Sequence, residues 1–439
     1  MVRIALFISI FLVGLCGSLE GGYRPCLSLG SRAQAQELVR VLLQEGPTVQ
    51  LVAKEPFTIV GAAATKELAA GKYFLQADLG QVLLEGTPLG PQALIEAEGE
   101  LPALNRQEYK GLIELTAENS QLQAVNVLAL EEYLAAALPQ HTLAVWPDQV
   151  LKAQAIAART YVYYVGLANK DRAWDIEAQD QQLPYLGTGQ EQDHITSQIV
   201  ATKGQYLAYG DKPILALLTS STGGRTEAAL EGLGRELPYL PSRPDPDTDS
   251  PDSSWQIRLA PFIVENILEQ QGHVVGQLQA VYLSPFEGTA RDRTSTGRVR
   301  HLVFVGTKGS VTLSGSKAQE LFNLPSTSFA ISTGVPTPDS LRIPIENAFG
   351  MEIGGKNISI KVEEQQEPVY KQALVSYHGL SGNKEEKLTF TGKGRGHGMG
   401  LSGWGARGLV LENDKITTEE ILAYYYPGSS LVKRAAAGK

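Results

Sequence analysis

A chain of 439 residues, 43% hydrophobic and 19% charged, has the make-up of a globular protein and the length for two or three cores, which excludes a disordered or fibrous chain. Its formal net charge of -9 excludes the broad basic footprint of a nucleic-acid binder, and no nucleic-acid partner is expected.

At the start, Arg3 precedes an apolar run from Ile4 to Leu15, as long as a signal-peptide core and too short to span a bilayer. Ala33-Gln34-Ala35 offers a small-x-small cleavage site, with an earlier cut near Gly17 or Ser18 as the alternative. Residues 1–35 are therefore expected to be a signal peptide, and the mature protein to be exported to the periplasm or cell envelope. Both cysteines, Cys16 and Cys26, lie before Ala35, so with cleavage there no disulfide, thiolate nucleophile or cysteine-bound zinc is expected in the mature chain.

Residues 36–104 read as a β-rich N-terminal region. Short runs at Val39–Leu43, Val49–Val52, Phe57–Val60, Phe74–Leu79 and Val82–Leu84 are broken by Gly-rich turns, and Leu112–Leu115 and Leu122–Leu128 follow in the same style. From Pro147 to about Gly166 the period becomes helical. Pro147 suits the first helical position, Asp148 puts a negative charge in the first turn, and Val150, Ala153, Gln154, Ala157, Tyr161 and Val165 form a core-facing stripe. The Pro/Asp/Ser-rich stretch from Pro241 to Ser254 is a loop or boundary. Beyond it, Pro261–Gln271 reads as a helix, and Leu278–Leu283, Val299–Val305, Val311–Leu313 and Ile358–Val362 as strands. A last helix, Thr418–Tyr425, has Thr417 or Thr418 as cap and Glu420 in its first turn.

Three blocks carry the chemistry. The first runs from Glu131-Glu132-Tyr133-Leu134 through Pro139-Gln140-His141 to Lys152 and Arg159. The two cations are seven apart, about two helical turns, and so project from one face as a small positive patch. The second, Ile214 to Thr226, contains Thr219-Ser220-Ser221-Thr222-Gly223-Gly224, a tight loop whose amides and hydroxyls can hydrogen-bond sugars. The third, Gly392 to Ala406, alternates glycine with Arg395, His397 and Ser402 and is followed by Tyr424-Tyr425-Tyr426-Pro427-Gly428. Glycine at that density permits positive φ and close backbone approach, and His397 is the one histidine set in such a frame. Gly398-x-Gly400-x-x-Gly403 matches a dinucleotide fingerprint but sits in no βαβ unit, so no nucleotide is expected. Asp245-x-Asp247-x-Asp249 begins like a calcium loop but lacks its turn glycine and distal Glu, and reads as a solvated acidic loop.

Together these blocks resemble the stage II sporulation protein D / amidase-enhancer (SpoIID/LytB) family, with Thr294–Val299 and Leu313–Lys317 similar to its "S-G-R-V" and "L-S-G" spacers. The resemblance covers roughly residues 105–432 and implies an α+β fold: mixed strands with one main helix forming a groove-bearing core over 105–255, completed by 390–432. Residues 256–389 would form an inserted α/β lobe. In that family a lysine and an arginine stand 11 and 18 residues after a catalytic glutamate; counting back from Lys152 and Arg159 lands on His141 both times. The family's enzymes resemble lytic transglycosylases, in which a carboxylic acid protonates the glycosidic oxygen and the muramyl 6-hydroxyl closes an anhydro ring. An imidazolium could donate a proton in principle, but beside Lys152 and Arg159 it should lose that proton more easily. His141 is thus a doubtful acid, a ligand contact or a neutral leftover. Leu218 and Gly403 replace a family tyrosine and glutamine. Trp174–Tyr185, where some members carry zinc ligands, holds neither Cys nor His, so no metal and no cofactor are expected; Gln181 or Gln182 stands for a family glutamine.

The resemblance implies an exported, peptidoglycan-associated protein that binds glycan strands, modulates a cell-wall amidase, or both. The alternative is a lytic transglycosylase acting on strands stripped of stem peptides. Implied substrate contacts are Lys152, Arg159, Gln182, Ser220, Ser221, Gly223, Gly224, His397, Ser402 and Tyr425, beside His141.

Overall fold

The computed structural model describes residues 37–97, 100–118, 120–284, 291–334, 340–346, 352–359, 377–383 and 385–434; the expected signal peptide, both cysteines and the end of the 358–362 strand lie outside them. The fold is mixed α+β. The chain divides into two compact units, Met1–Leu218 with Leu409–Lys439, and Thr219–Gly408.

In the first unit, alternating residues build two antiparallel-rich sheets. Val39, Val41 and Leu43 of strand Leu38–Gly46 are buried while their neighbours are not, the period-two signature of a half-buried strand. The larger sheet has the order Ile176–Glu177, Leu38–Gly46, Gln121–Ala129, Leu112–Glu118, Gln92–Glu96, Phe57–Gly61, Thr65–Leu68. The smaller holds Thr87–Gly90, Gln81–Leu84, Gly71–Asp78, Thr48–Ala53 and Ala103–Leu104. Leu79, read as the end of a strand, instead sits exposed in the following turn with φ +46°.

Strand Gln121–Ala129 runs without a loop into helix α1, Leu130–Ala137. Helix α2, Asp148–Ala168, is the spine of the unit. Pro147 proves to be its N-cap rather than its first helical residue. The expected one-sided stripe is also too narrow: from Val150 to Val162 every residue except Lys152 is buried, and Val165 is only partly so. A helix apolar on nearly all sides is one covered on all sides. Its cover includes helix α3, Asp193–Ala201, strand Gln205–Tyr209 and the terminal helix Thr418–Tyr425. That terminal helix begins with a capping box, in which Thr417 Oγ1 accepts from the Glu420 amide while Glu420 accepts from the Thr417 amide.

The second unit is built on sheets ordered Trp255–Leu259, Lys387–Gly392, Phe329–Gly334 and Gly309–Ser314, His301–Gly306, Leu278–Tyr282, Tyr377–Gly379, with helices Pro261–Gln270 and Gly315–Leu321. Its core is aromatic: Phe304 meets Phe322 at 5.5 Å between ring centroids, Phe322 meets Phe390 at 5.6 Å, and Phe390 meets Phe329 at 5.7 Å. Strands Ser340–Glu346 and Glu352–Ser359 form a separate hairpin. Among the described residues no helix is long and apolar enough to cross a membrane.

Thr417→Ala removes the hydroxyl of the capping box and is expected to cost about 1 kcal/mol, read as a lower urea midpoint.

Candidate functional site

The first unit presents His141 at the end of a rigid run. Strand Gln121–Ala129 leads into α1, whose residues from Tyr133 to Ala137 are buried, and then into a single 3₁₀ turn, Leu138–Gln140, with Pro139 near its start. The His141 amide closes that turn on the Leu138 carbonyl at 2.9 Å, and the Gln154 side chain of α2 donates to the His141 carbonyl at 3.4 Å. The ring is turned inward, and its Nε2 is buried with no hydrogen-bond partner. Burial pulls the imidazole below its usual range, with the Asp180 charge opposing. The ring is therefore neutral near neutral pH, so its one ring N–H and one bare nitrogen make it a donor and acceptor rather than an acid.

Asp180 owes its place to backbone pairing. Strand Ile176–Glu177 runs parallel to Val41–Leu42, and the Ala178 amide donates to the Leu42 carbonyl at 2.8 Å. The Asp180 carboxylate accepts from the Tyr161 hydroxyl (2.9 Å), the Gln182 amide (2.8 Å) and the Leu183 amide (3.0 Å). Three donors thus hold the Asp180 side chain in place. Gln182 spends its own carbonyl oxygen on the Leu218 amide at 2.9 Å.

Helix α2 separates two sets of polar groups. Gln154 and Tyr161, seven residues apart, face His141 and Asp180. Lys152 and Arg159 share another face, but they do not form the positive patch expected of them. Arg159 is fully buried, and its guanidinium grips Glu131 of α1 through Nε–Oε1 at 3.1 Å and Nη2–Oε2 at 2.6 Å. The remaining protons go to the Ile199 carbonyl (3.0 Å), the Gln205 carbonyl (3.1 Å) and the Ala155 carbonyl (3.5 Å). A guanidinium so occupied has nothing left for a ligand. Lys152 alone reaches a surface, where it lines an open cavity of about 680 Å³ with Gln149, Thr202, Gln205, Lys415 and Glu419. Tyr425, expected at the ligand, is buried with its ring edge-on to Tyr424. Its neighbour Tyr426 is buried too and donates to the Leu217 carbonyl at 2.6 Å.

In the second unit, the Ser/Thr/Gly loop is held from beneath. Ser221 Oγ donates to Asp247 at 2.6 Å, Thr222 Oγ1 to Asp245 at 2.6 Å, and the Gly223 amide to Asp247 at 2.8 Å. Asp245 and Asp247 are buried, which corrects the reading of this stretch as a solvated acidic loop. Ser221 also exchanges both backbone hydrogen bonds with Arg395. Ser402 is buried as well, accepting the Gly405 amide at 3.0 Å, and the stretch after it is a helix, Gly403–Glu412. Ser220 and His397 are half-buried, and Gly224 is exposed. His397 Nδ1 accepts the Met399 amide at 3.0 Å, which leaves its proton on Nε2 while that bond is made. Close approach explains one glycine directly: at Gly398, with φ +79°, a Cβ would lie 2.1 Å from Arg298 Nη2. That guanidinium donates to the Thr222 carbonyl at 2.9 Å and the Gly396 carbonyl at 3.2 Å.

The first unit thus brings together His141, Asp180, Gln154 and Tyr161. The second gathers Ser220, Ser221, Gly223 and His397 near Thr222 and Arg395. Sequence reading missed Asp180 and the use of Gln154 and Tyr161, because no local spacing links them to His141. The Asp245/Asp247 spacing was visible, but the burial of those carboxylates was not. Among the described residues, no three His, Cys, Asp or Glu side chains converge as a metal-ligand set.

Residues 118–209 match the family model described as Stage II sporulation protein. The chain is similar to an uncharacterized protein of Brachyspira hyodysenteriae, 24% identical over 330 residues, which are 75% of this chain and 73% of that one. It is 24% identical over 301 residues to an amidase enhancer of Bacillus subtilis, covering 67% of this chain and 39% of the relative. It is 23% identical over 325 residues to stage II sporulation protein D of the same organism, covering 70% and 76%.

Arg159→Ala strands the Glu131 carboxylate and is expected to destabilise the protein by about 3–5 kcal/mol, measured by urea unfolding. Asp247→Ala orphans the Ser221 hydroxyl and the Gly223 amide and is expected to cost about 1–3 kcal/mol, with amide exchange rising in residues 219–225.

Proposed function

We propose, from the premise that this chain belongs to the SpoIID/LytB family, that it is an exported cell-wall protein that binds peptidoglycan glycan strands without cutting them. The similarity to an amidase enhancer extends the reading to modulation of a cell-wall amidase by the bound protein.

One observation carries it: the position where the resemblance calls for an acid holds a histidine whose buried Nε2 has no partner. A general acid must hold its proton near the working pH, and burial works against that for an imidazole while favouring it for a carboxyl. A neutral imidazole buried at that position leaves the site without the acid that cleavage needs, which favours binding over cutting. Gln182 and Lys152 belong to the same unit, and Lys152 faces its own cavity. In the second unit, Ser220, Gly223, Gly224 and His397 remain the groups best placed to meet a ligand. The buried Ser221, Ser402, Arg159 and Tyr425 support the scaffold instead.

Glycan strands stripped of stem peptides are incubated with the purified mature protein, then analysed by mass spectrometry and co-sedimentation. Intact strands that carry the protein down are expected, with weaker sedimentation for His141→Ala. Anhydro-muramyl products above a buffer control would overturn the binding reading. His141→Glu restores the residue expected from the resemblance and should create cleavage; a histidine acting as acid would instead lose activity on that change.

A further inference from the structure

Helix α3 carries a histidine that the site above does not use. His194 is exposed, and its ring bridges two other elements. Nδ1 lies 2.6 Å from the carbonyl oxygen of Ala144, in the segment that joins His141 to α2. Nε2 lies 2.8 Å from Oδ1 of Asp148, the first residue of α2.

Both partners of the ring are pure acceptors. A carbonyl has no proton to give, and neither has an ionised carboxylate. A neutral imidazole carries one N–H and can satisfy only one of them; the other nitrogen would then set a lone pair against an oxygen. Only the imidazolium, with a proton on each nitrogen, makes both bonds. The geometry points to His194 as a protonation-dependent latch that ties the segment 141–147 to α3 and to the start of α2.

The surroundings agree. Hydrogen bonding to Asp148 and to the Ala144 carbonyl raises the His194 pKa above the usual imidazole range. Asp148 is the charged group that acts on the ring from α2; Asp193, beside it on α3, is the other acid at this end of the helix, and the 141–147 segment presents a carbonyl there. The latched segment is anchored at its ends by the buried Thr142 and Trp146, but between them Leu143 is 49% exposed and Val145 87%, so the turn that the Trp146 amide closes on the Leu143 carbonyl is the part His194 ties down. The sign follows from the raised value. Pinning is complete below the ordinary imidazole pKa and is lost as the pH rises through the higher one. The consequence is that acid surroundings hold the His141 segment in place and alkaline ones release it.

Hydrogen–deuterium exchange of the intact protein tests this, with rates corrected for intrinsic pH dependence and a peptide spanning 278–282 as internal reference. At about pH 5 the 141–147 peptide should be protected roughly threefold or more relative to about pH 9, the loss of one hydrogen bond. His194→Ala should show the weaker protection at both pH values, and Asp148→Asn should move the midpoint down. His141→Gln should keep the pH dependence, since His141 is not the titrating group. Equal protection at both pH values in the unaltered protein, or an unchanged pH dependence in His194→Ala, would overturn the latch. The exchange is measured without glycan, so failure of the latch and failure of the binding reading are told apart.

Discussion

The bidentate pair between Arg159 and Glu131 is the contact on which the first unit depends. One guanidinium, fully out of water, joins α2 to α1 through a carboxylate, to α3 through the Ile199 carbonyl, and to the strand Gln205–Tyr209 through the Gln205 carbonyl. A buried cation is costly unless every proton is placed, and here the planar fork of arginine places them across four elements. A lysine at this position would bring one point charge and three freely rotating donors, and would leave carbonyls unpaired. A residue that the resemblance offers as a ligand contact is thus the one that fixes how four elements meet.

That arrangement sets the character of the site. With Arg159 occupied elsewhere, the groups near His141 include the Gln154 amide, the Tyr161 hydroxyl and an Asp180 carboxylate already accepting three hydrogen bonds. Such a setting favours neutral hydrogen-bonding chemistry over proton transfer. In the second unit, the glycines of the 392–406 block and the carboxylates of the 241–254 stretch serve one loop from two directions, through Arg298 above Gly398 and through Asp245 and Asp247 beneath Ser221 and Thr222.

Local pattern was readable wherever a physical period existed. The strands at Val39–Leu43 and Val49–Val52, the long helix after Pro147, and the Thr417–Glu420 cap all appear in the structure because alternation, helical spacing and capping are properties of neighbouring residues. Helices α1 and α3 were not read, since α1 is apolar nearly throughout and α3 is only nine residues long. The site was legible only in part. His141 stood out by its place among Lys152 and Arg159, whereas Asp180 reaches its position through parallel pairing of Ile176 with Val41, residues far apart in the chain. Burial was the chief blind spot: serine, aspartate, arginine and tyrosine in a conspicuous motif look alike whether they greet a ligand or brace a loop.

The joint between strand Gln121–Ala129 and α1 bears on which changes of length this protein can accept. The strand is paired residue by residue with Leu112–Glu118 and, apart from a bulge at Leu43 on the neighbouring strand, with Leu38–Gly46, and the helix starts at the next residue with no slack between them. Inserting one residue within α1 would turn everything beyond it by about 100° about the helix axis, carrying His141 off its bearing toward Asp180. Inserting one within the strand would exchange its inward and outward faces. The stretch from 121 to 141 should therefore tolerate substitution far better than insertion or deletion, and homologous chains should align across it without gaps.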